Sequence, residues 1–430
     1  MQKHNKDYFL NLLKSEVVPA LGCTEPIAVA LAAAKARETL DMEPESIEVL
    51  VSPNILKNGM GVGIPGTGMV GLHVAAALGS VGGDPKAYLE VLKNITKEHI
   101  EKAKNFVKDE KVLVNAKKDV CKLYVEVTLK AKNRTATVKI KDKHSSIVEV
   151  TLDDKVIFQN EEIALDSADC SKPEDFIDHT TVDEIYEFAT TVDFEDIKFI
   201  LEGAKMNMEI AEYGLKNDCG LRVGKTLYKN IQRDILKEDI QNYAMALTAA
   251  ASDARMSGCM LPVMSNSGSG NQGITVMVPV VATHTRLNLG EEKLARALIL
   301  SNLIAIHIKS YLGRLSALCG CVVAAAGSSS GIVYLLDGTL EEVKYAIKNM
   351  AGNIVGMICD GAKTGCALKV STGVSAAVMS ALLALDHIEI SDQDGIIHKD
   401  TEITIKNLAE IGTKGMSETD KIILDIMTCK

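Results

Sequence analysis

A chain of 430 residues is long enough for two or three domains and a large buried core, so it needs no disulfide staple. A formal net charge of -10, a pI near 5.5, 4% aromatic residues and no tryptophan exclude a general nucleic-acid or membrane-surface binder. The ten cysteines are scattered through a chain that begins Met-Gln-Lys-His-Asn-Lys without an apolar signal region, which places the protein in a reducing cytoplasm. Apolar runs such as residues 297–308 and 374–385 fall short of the roughly 20 residues of a bilayer span, so no transmembrane segment is expected.

Residues 8–18 predict a short amphipathic helix, followed by Leu21-Gly22-Cys23-Thr24-Glu25-Pro26 and an alanine-rich helix to about Leu40. Pro26 suits a first helical residue, with Thr24 or Glu25 as cap. Cys23 then sits just outside a helix N-terminus, where the dipole favours an anion and can lower a thiol pKa to as little as ~3.5–7.5. A reactive thiolate and a small residue filling the turn both fit that position.

From Ser46 the pattern alternates like a strand and runs into a glycine-rich stretch that begins at Lys57 and Asn58. Gly61-x-Gly63-x-x-Gly66 has the spacing of a dinucleotide fingerprint. Pro65 is awkward in that turn, however, and no second strand with an acidic ribose ligand follows. A loop offering backbone N–H groups to a small anionic substrate is the better functional reading, beside glycines that merely allow tight turns. The chain is helical to about Val107. Residues 122–129, 135–140, 146–152 and 155–158 then read as strands of an antiparallel sheet with solvated lysine-rich turns. Residues 160–178 read as an acidic linker in which Cys170 is incidental. The fold class is α+β, with a mainly helical catalytic domain (1–42 and 175–430) interrupted by a smaller α+β domain and its linker (43–174).

Helical periodicity dominates from Thr181, with runs at 196–215, 221–235 and 239–256. A polar loop follows: Ser265, Asn266, Ser267, Gly268, Ser269, Gly270 and Asn271 lie between two apolar segments. Hydroxyls, amides and backbone donors are concentrated there, as an amino-acid carboxylate site requires. Beyond a helix at 291–312, the Ala-, Gly- and Ser-rich segment 315–332 carries Cys319 and Cys321, and further helices are read at 340–350, 370–384, 401–411 and 418–427. Between them lie Cys359 and Cys366. On one unbroken helix these two would be about 10 Å apart, too far for one zinc ion with Zn–S near ~2.3 Å. Either Gly361 and Gly365 break the helix, or the ligated object is larger than an ion, as an iron-sulfur cluster is. Two ordinary buried cysteines are the alternative.

Three thiolates on a four-iron cluster leave one iron open as a Lewis acid for a substrate hydroxyl or thiol, and Cys23 could act as the base at the α-carbon. Four separated motifs carry a resemblance across most of the chain: Leu21 to Pro26, SNSGSGNQG from Ser265 to Gly273, Cys319-Gly320-Cys321, and Gly356 through Cys366. With these the chain resembles the iron-sulfur L-cysteine desulfidases, which are distantly similar to the iron-sulfur L-serine dehydratase α-subunit. The resemblance implies conversion of L-cysteine to pyruvate, ammonia and hydrogen sulfide by a 4Fe-4S cluster without pyridoxal phosphate. It puts Cys359 and Cys366 on cluster-ligand positions and Cys23 on the catalytic thiol. Cys319 and Cys321 compete for the first ligand, and Cys319 is chosen because it lies nearer the start of the small-residue helix. Serine dehydration is the runner-up, and a non-catalytic redox- or sulfide-sensing cluster protein the reading from another class. Cys429 reads as a tail thiol, with inhibition through the open iron as its other role. The expected partner is a small amino acid, and self-assembly is left open.

Overall fold

The computed structural model describes residues 6–160, 180–313 and 315–429. Most of the 160–178 linker, with Cys170, lies outside the described residues. Helix α1 (Lys6–Glu16) buries Phe9, Leu10, Leu12 and Leu13, and strand β1 (Pro19–Ala20) leads into α2 (Thr24–Leu40). Strand β2 (Ser46–Val51), α3 (Pro53–Gly59), α4 (Leu72–Gly82) and α5 (Lys97–Lys108) follow, with a 3-10 turn at Pro85–Glu90 interrupting the region read as helical. The sheet is completed by β3 (Val112–Ala116), β4 (Tyr124–Ala131), β5 (Arg134–Lys141), β6 (Ile147–Leu152) and β7 (Lys155–Gln159). Its order is β3-β2-β4-β5-β6-β7. The expected antiparallel pairing is corrected at one edge: β2 and β3 run parallel, because α3, α4 and α5 form a crossover long enough to return the chain in the same direction.

Helix α2 is buried on nearly every side, which its alanine-rich sequence permits and an amphipathic helix would not. It shares one core with the sheet and with α4, so the helix assigned from sequence to residues 1–42 packs against the module it precedes. A Cβ on Gly79 of α4 would lie 2.3 Å from the Ala30 carbonyl oxygen, so glycine is what lets these two helices approach.

The second body is helical: α6 (Val182–Thr191), α7 (Phe194–Ile197), α8 (Ile200–Lys216), α9 (Val223–Gln232) and α10 (Ile240–Met256), then strand β8 (Val263–Met264). Next come α11 (Gly270–Leu287), α12 (Glu291–Leu312), α13 (Gly320–Leu335), α14 (Leu340–Ile354), α15 (Cys366–Leu385), α16 (Thr401–Glu410) and α17 (Ser417–Thr428). Gly327 and Gly331 of α13 face the Ser301 and Ala297 carbonyls of α12, where a Cβ would lie 2.4 and 2.9 Å away. Small residues thus bring α12 and α13 together in the main core.

Helix α15 has 20 residues and is apolar enough to cross a membrane by length and composition, because it begins at Cys366 rather than near residue 370. It packs against α10, α13 and α14 as a core helix does, and its first residue reaches the cavity described below.

The two bodies are stitched by the pairing of β1 with β8, with Pro19 opposite Met264 and Ala20 opposite Val263. The stitch brings the start of α2 beside the start of α11. Gly79→Ala should lower the denaturant midpoint by the equivalent of about 1–3 kcal/mol through overpacking of α2 against α4. Gly356→Ala, with no atom near its Cβ position, should stay within about 0.5 kcal/mol of wild type. Equal midpoints for the two variants would contradict the close approach.

Candidate active site

Four helices begin at one cavity. Cys23 is the N-cap of α2, Ser269 of α11 and Cys319 of α13, and Cys366 is the first residue of α15. All four line a cavity that opens to solvent. Each helix start presents unpaired backbone N–H groups and the positive end of its dipole.

Two of the thiols meet through a bridge between distant segments. Leu318 pairs antiparallel with Ile358, Cys319 N–H donates to Met357 O at 2.9 Å, and Cys359 N–H donates to Ala317 O at 2.7 Å. Because side chains alternate across such a ladder, Cys319 and Cys359 project to the same face. Gly361, at φ +89°, then turns the chain, and the helix starts afresh at Cys366. The seven-residue spacing is therefore spanned by a loop rather than a continuous helix. That loop is pinned: Asp360 pairs with Lys363 and Lys369, and Lys369 Nζ also donates to Ile358 O at 2.7 Å. Burial alone would raise the Asp360 carboxyl, but the two lysines draw it down to about 2.

Among the four clustered thiols, Cys319 alone is held low, at about 7, by a hydrogen bond from Cys321 and, against its own burial, by Lys369 and Lys309. Cys321 is pushed well up by giving that hydrogen bond and by burial. Its sulfur lies 3.1 Å from Met357 Sδ and 3.5 Å from Lys369 O. Burial raises Cys359, and raises Cys366 to about 11. Among the described residues, no group of three or more His, Cys, Asp or Glu side chains is arranged to hold a single metal ion.

Cys23 caps α2 as anticipated, but its thiol is 4% exposed and donates to Glu25 Oε2 at 3.0 Å. Burial and the Glu25 charge push the thiol well up, against the pull of Arg255, so of the two readings the sequence left open the resting group is not the thiolate. Glu25 also accepts from Thr24 Oγ1 at 3.2 Å and Asn58 Nδ2 at 3.0 Å. Burial would raise this carboxyl, yet the nearby His144 charge and the donated hydrogen bonds hold it below its ordinary value. The carboxylate that pairs with Cys23 is therefore ionised.

The polar loop divides in two. Ser265 Oγ donates to Val18 O at 2.6 Å, Asn266 Nδ2 to Asn302 Oδ1 at 2.9 Å, and Ser267 Oγ to Asn266 Oδ1 at 3.0 Å, so these three hold the loop. Gly268, Ser269 and Asn271 line the cavity, and Gly270 opens α11 between them. Asn58 also lines it. Lys57 is turned away, its Nζ 2.5 Å from Asp420 Oδ1 in α17 and 3.2 Å from Cys359 O. The glycine-rich loop that follows serves packing: a Cβ on Gly63 would lie 2.6 Å from the Ser257 carbonyl carbon, and Gly61 through Gly68 do not line the cavity. Cys429 sits at the exposed end of α17.

Three ionisable lining residues fall outside every motif read from the sequence: His144, Arg255 and Lys309. His144 arrives from the turn between β5 and β6, read as a solvated lysine-rich turn. Arg255 and Lys309 were legible only as charges inside otherwise apolar helices.

Comparison with known proteins identifies the family. Residues 86–425 match the family model described as serine dehydratase alpha chain. The chain is 50% identical to a UPF0597 protein of Oleidesulfovibrio alaskensis, with 100% of both chains covered, and 47% identical to one of Bacteroides fragilis with the same coverage. A UPF0597 protein of Clostridioides difficile is 46% identical over 97% of this chain and 98% of its own. With a family match over most of its length and full-length relatives at this identity, the chain belongs to the serine dehydratase alpha chain family.

Proposed function

We propose that the chain is an L-cysteine desulfidase, a pyridoxal-phosphate-independent lyase that eliminates sulfide from L-cysteine and yields pyruvate and ammonia. The observation that carries the reading is the opening of four helix N-termini, two of them bearing Cys319 and Cys366 and one Cys23, onto a single cavity. The donor set suits a 4Fe-4S cluster. Cys319 and Cys359 share one face of a bridge, Cys366 lies across a glycine turn, and Lys309, Lys369 and the helix starts supply the positive surroundings that an anionic thiolate-bound cluster needs. Cys321, turned toward Met357 and the Lys369 carbonyl, is left as a neighbour of the set. When bound, a cluster with one open iron supplies a Lewis acid for the leaving sulfur.

The chain's own residues then supply the base. Cys23, its Sγ held 3.0 Å from Glu25 Oε2, is the group placed to remove the α-proton of the substrate once it is deprotonated. The electrons of the broken Cα–H bond form the Cα–Cβ double bond as the Cβ–S bond breaks. The enamine released hydrolyses to pyruvate and ammonia. A thiol whose pKa is raised is a strong base once ionised, as a weakly acidic Cα–H requires. Asn58 holds Glu25 in place, and Gly268, Ser269 and Asn271 line the side on which the amino acid would sit.

Serine dehydration is the second reading, favoured by the name of the family model. The same groups would eliminate water from L-serine.

Anaerobic turnover of L-cysteine and L-serine side by side should give sulfide and pyruvate from cysteine at a rate well above pyruvate from serine. Pyruvate from serine alone would transfer the assignment to the dehydratase. The reconstituted protein should carry about four irons per chain with broad charge-transfer absorption. Cys359→Ala should lose both signals, while a colourless, iron-free protein that still turns over would sink the cluster. Cys23→Ala should keep the iron and lose activity by about 100-fold or more. Glu25→Gln removes the negative charge that raises the Cys23 thiol, so the pH midpoint for alkylation of Cys23 in iron-free protein, followed by peptide mass spectrometry, should move to lower pH. An unmoved or rising midpoint would remove Glu25 from its role.

A further inference from the structure

Arg255 lies near the end of α10 with 3% of its surface exposed, and it lines the cavity. Its guanidinium stays charged in any protein environment. Nη2 donates to Gly22 O at 3.0 Å, Nε has no hydrogen-bond partner, and no carboxylate lies within ion-pair distance among the described residues. An unpaired buried charge is among the costliest features a fold can keep. Other deeply buried basic groups here do not share the situation: Lys57 is paired with Asp420, and Lys348 with Glu389.

The surroundings are shaped to this side chain. A Cβ on Gly270, the first residue of α11, would lie 2.2 Å from Arg255 Nε and 2.6 Å from its Cζ. Only glycine therefore lets the guanidinium lie against the start of that helix, where free backbone N–H groups also face the cavity. Gly22, which receives the Nη2 hydrogen bond, directly precedes Cys23, so Arg255 is on the Cys23 side of the cavity. Lys309 and Lys369 act instead on the Cys319 thiol.

We infer that Arg255, together with the N-terminus of α11, is the anchor for the α-carboxylate of the amino-acid substrate. The inference rests on the elimination reading for the identity of that carboxylate. A planar guanidinium matches a carboxylate in shape and charge. A carboxylate held there lies one bond from the α-carbon, which brings the α-proton to Cys23 and leaves the β-substituent free to reach toward Cys319, Cys359 and Cys366. It also explains why Gly270 stands within the polar loop when the serines before it are engaged in holding the loop.

The test uses L-alanine, which has no β-leaving group, against L-alaninamide, which lacks only the carboxylate. Each is titrated into full-length protein, with thermal midpoint and calorimetric affinity as readouts. Wild type should be stabilised by alanine and not by the amide. Arg255→Gln should weaken alanine binding by about 100-fold and abolish the preference, and Arg255→Lys should restore part of it. Gly270→Ala displaces the flexible end of Arg255 without removing the residue, so it keeps the test intact should Arg255→Gln fail to fold, and it should reproduce the loss. On L-cysteine, the loss in Arg255→Gln should fall mainly on KM. A wild type indifferent to the carboxylate, or folded variants that keep the preference, would overturn the anchor even if cysteine is turned over normally. An Arg255-dependent preference in a protein that releases neither sulfide nor pyruvate would instead uphold the anchor and overturn the elimination reading.

Discussion

The structure depends on a concentration of positive potential around one cavity. Four helix starts converge there, and Arg255, Lys309 and Lys369 add three cationic side chains. Facing them, Glu25 is ionised but engaged with Cys23, Thr24 and Asn58, and Asp360 is engaged with two lysines. Asp360 answers Lys369, whereas the Arg255 guanidinium has no carboxylate within ion-pair distance among the described residues, so an anion entering beside it would complete the charge balance there. Thiolates with their cluster and a substrate carboxylate are anions of the right kind, and they would enter on different sides: the cysteines beside Lys309 and Lys369, the carboxylate beside Arg255.

Holding such a site requires segments that are distant in sequence to meet without freedom to separate. Two short β contacts do this. The β1–β8 pair fastens the start of α2 to the loop before α11, and Thr24 Oγ1 adds a 2.7 Å hydrogen bond to Gly268 O. The Leu318–Ile358 bridge fastens the start of α13 to the loop before α15. Lys57 extends the second fastening outward, joining the Cys359 carbonyl to Asp420 of the last helix. The helical core positions the cysteines, while the sheet body contributes α2, Asn58 and His144, so neither body alone forms the cavity.

The sequence made the cysteines and the polar loop visible because their glycines and small residues mark places where backbone must turn or approach closely, and the structure puts Cys23, Cys319, Cys359 and Cys366 around one space. It could not show which loop residues face inward. Ser265, Asn266 and Ser267 have the same chemistry as Ser269 and Asn271, but with β1 paired to β8 Ser265 is turned to Val18, Asn266 to Asn302 and Ser267 to Asn266. Glu25 was visible as a possible cap, but its proximity to the Cys23 thiol depends on the first turn of α2. His144 and Arg255 were hidden for opposite reasons. One lies in a turn whose lysines suggest solvent, and the other in a helix whose alanines suggest nothing but packing. The parallel β2–β3 pair was also missed, since alternation fixes which face of a strand is buried but not the direction of its neighbour.

The Cys23 environment shows how tertiary structure can reverse a local rule. A helix N-terminus alone favours the thiolate, with an effect confined to the first turn and typically ~0.3–1 kcal/mol for an exposed group. Burial without water and a carboxylate 3.0 Å from the sulfur act in the other direction, and together they outweigh the dipole. The consequence suits the chemistry. A low-pKa thiolate would be a weak base toward a carbon acid and would stand open to oxidation and alkylation in the absence of substrate. In the proposed elimination, a thiol kept protonated beside an ionised carboxylate is inert at rest and strongly basic once its proton is removed.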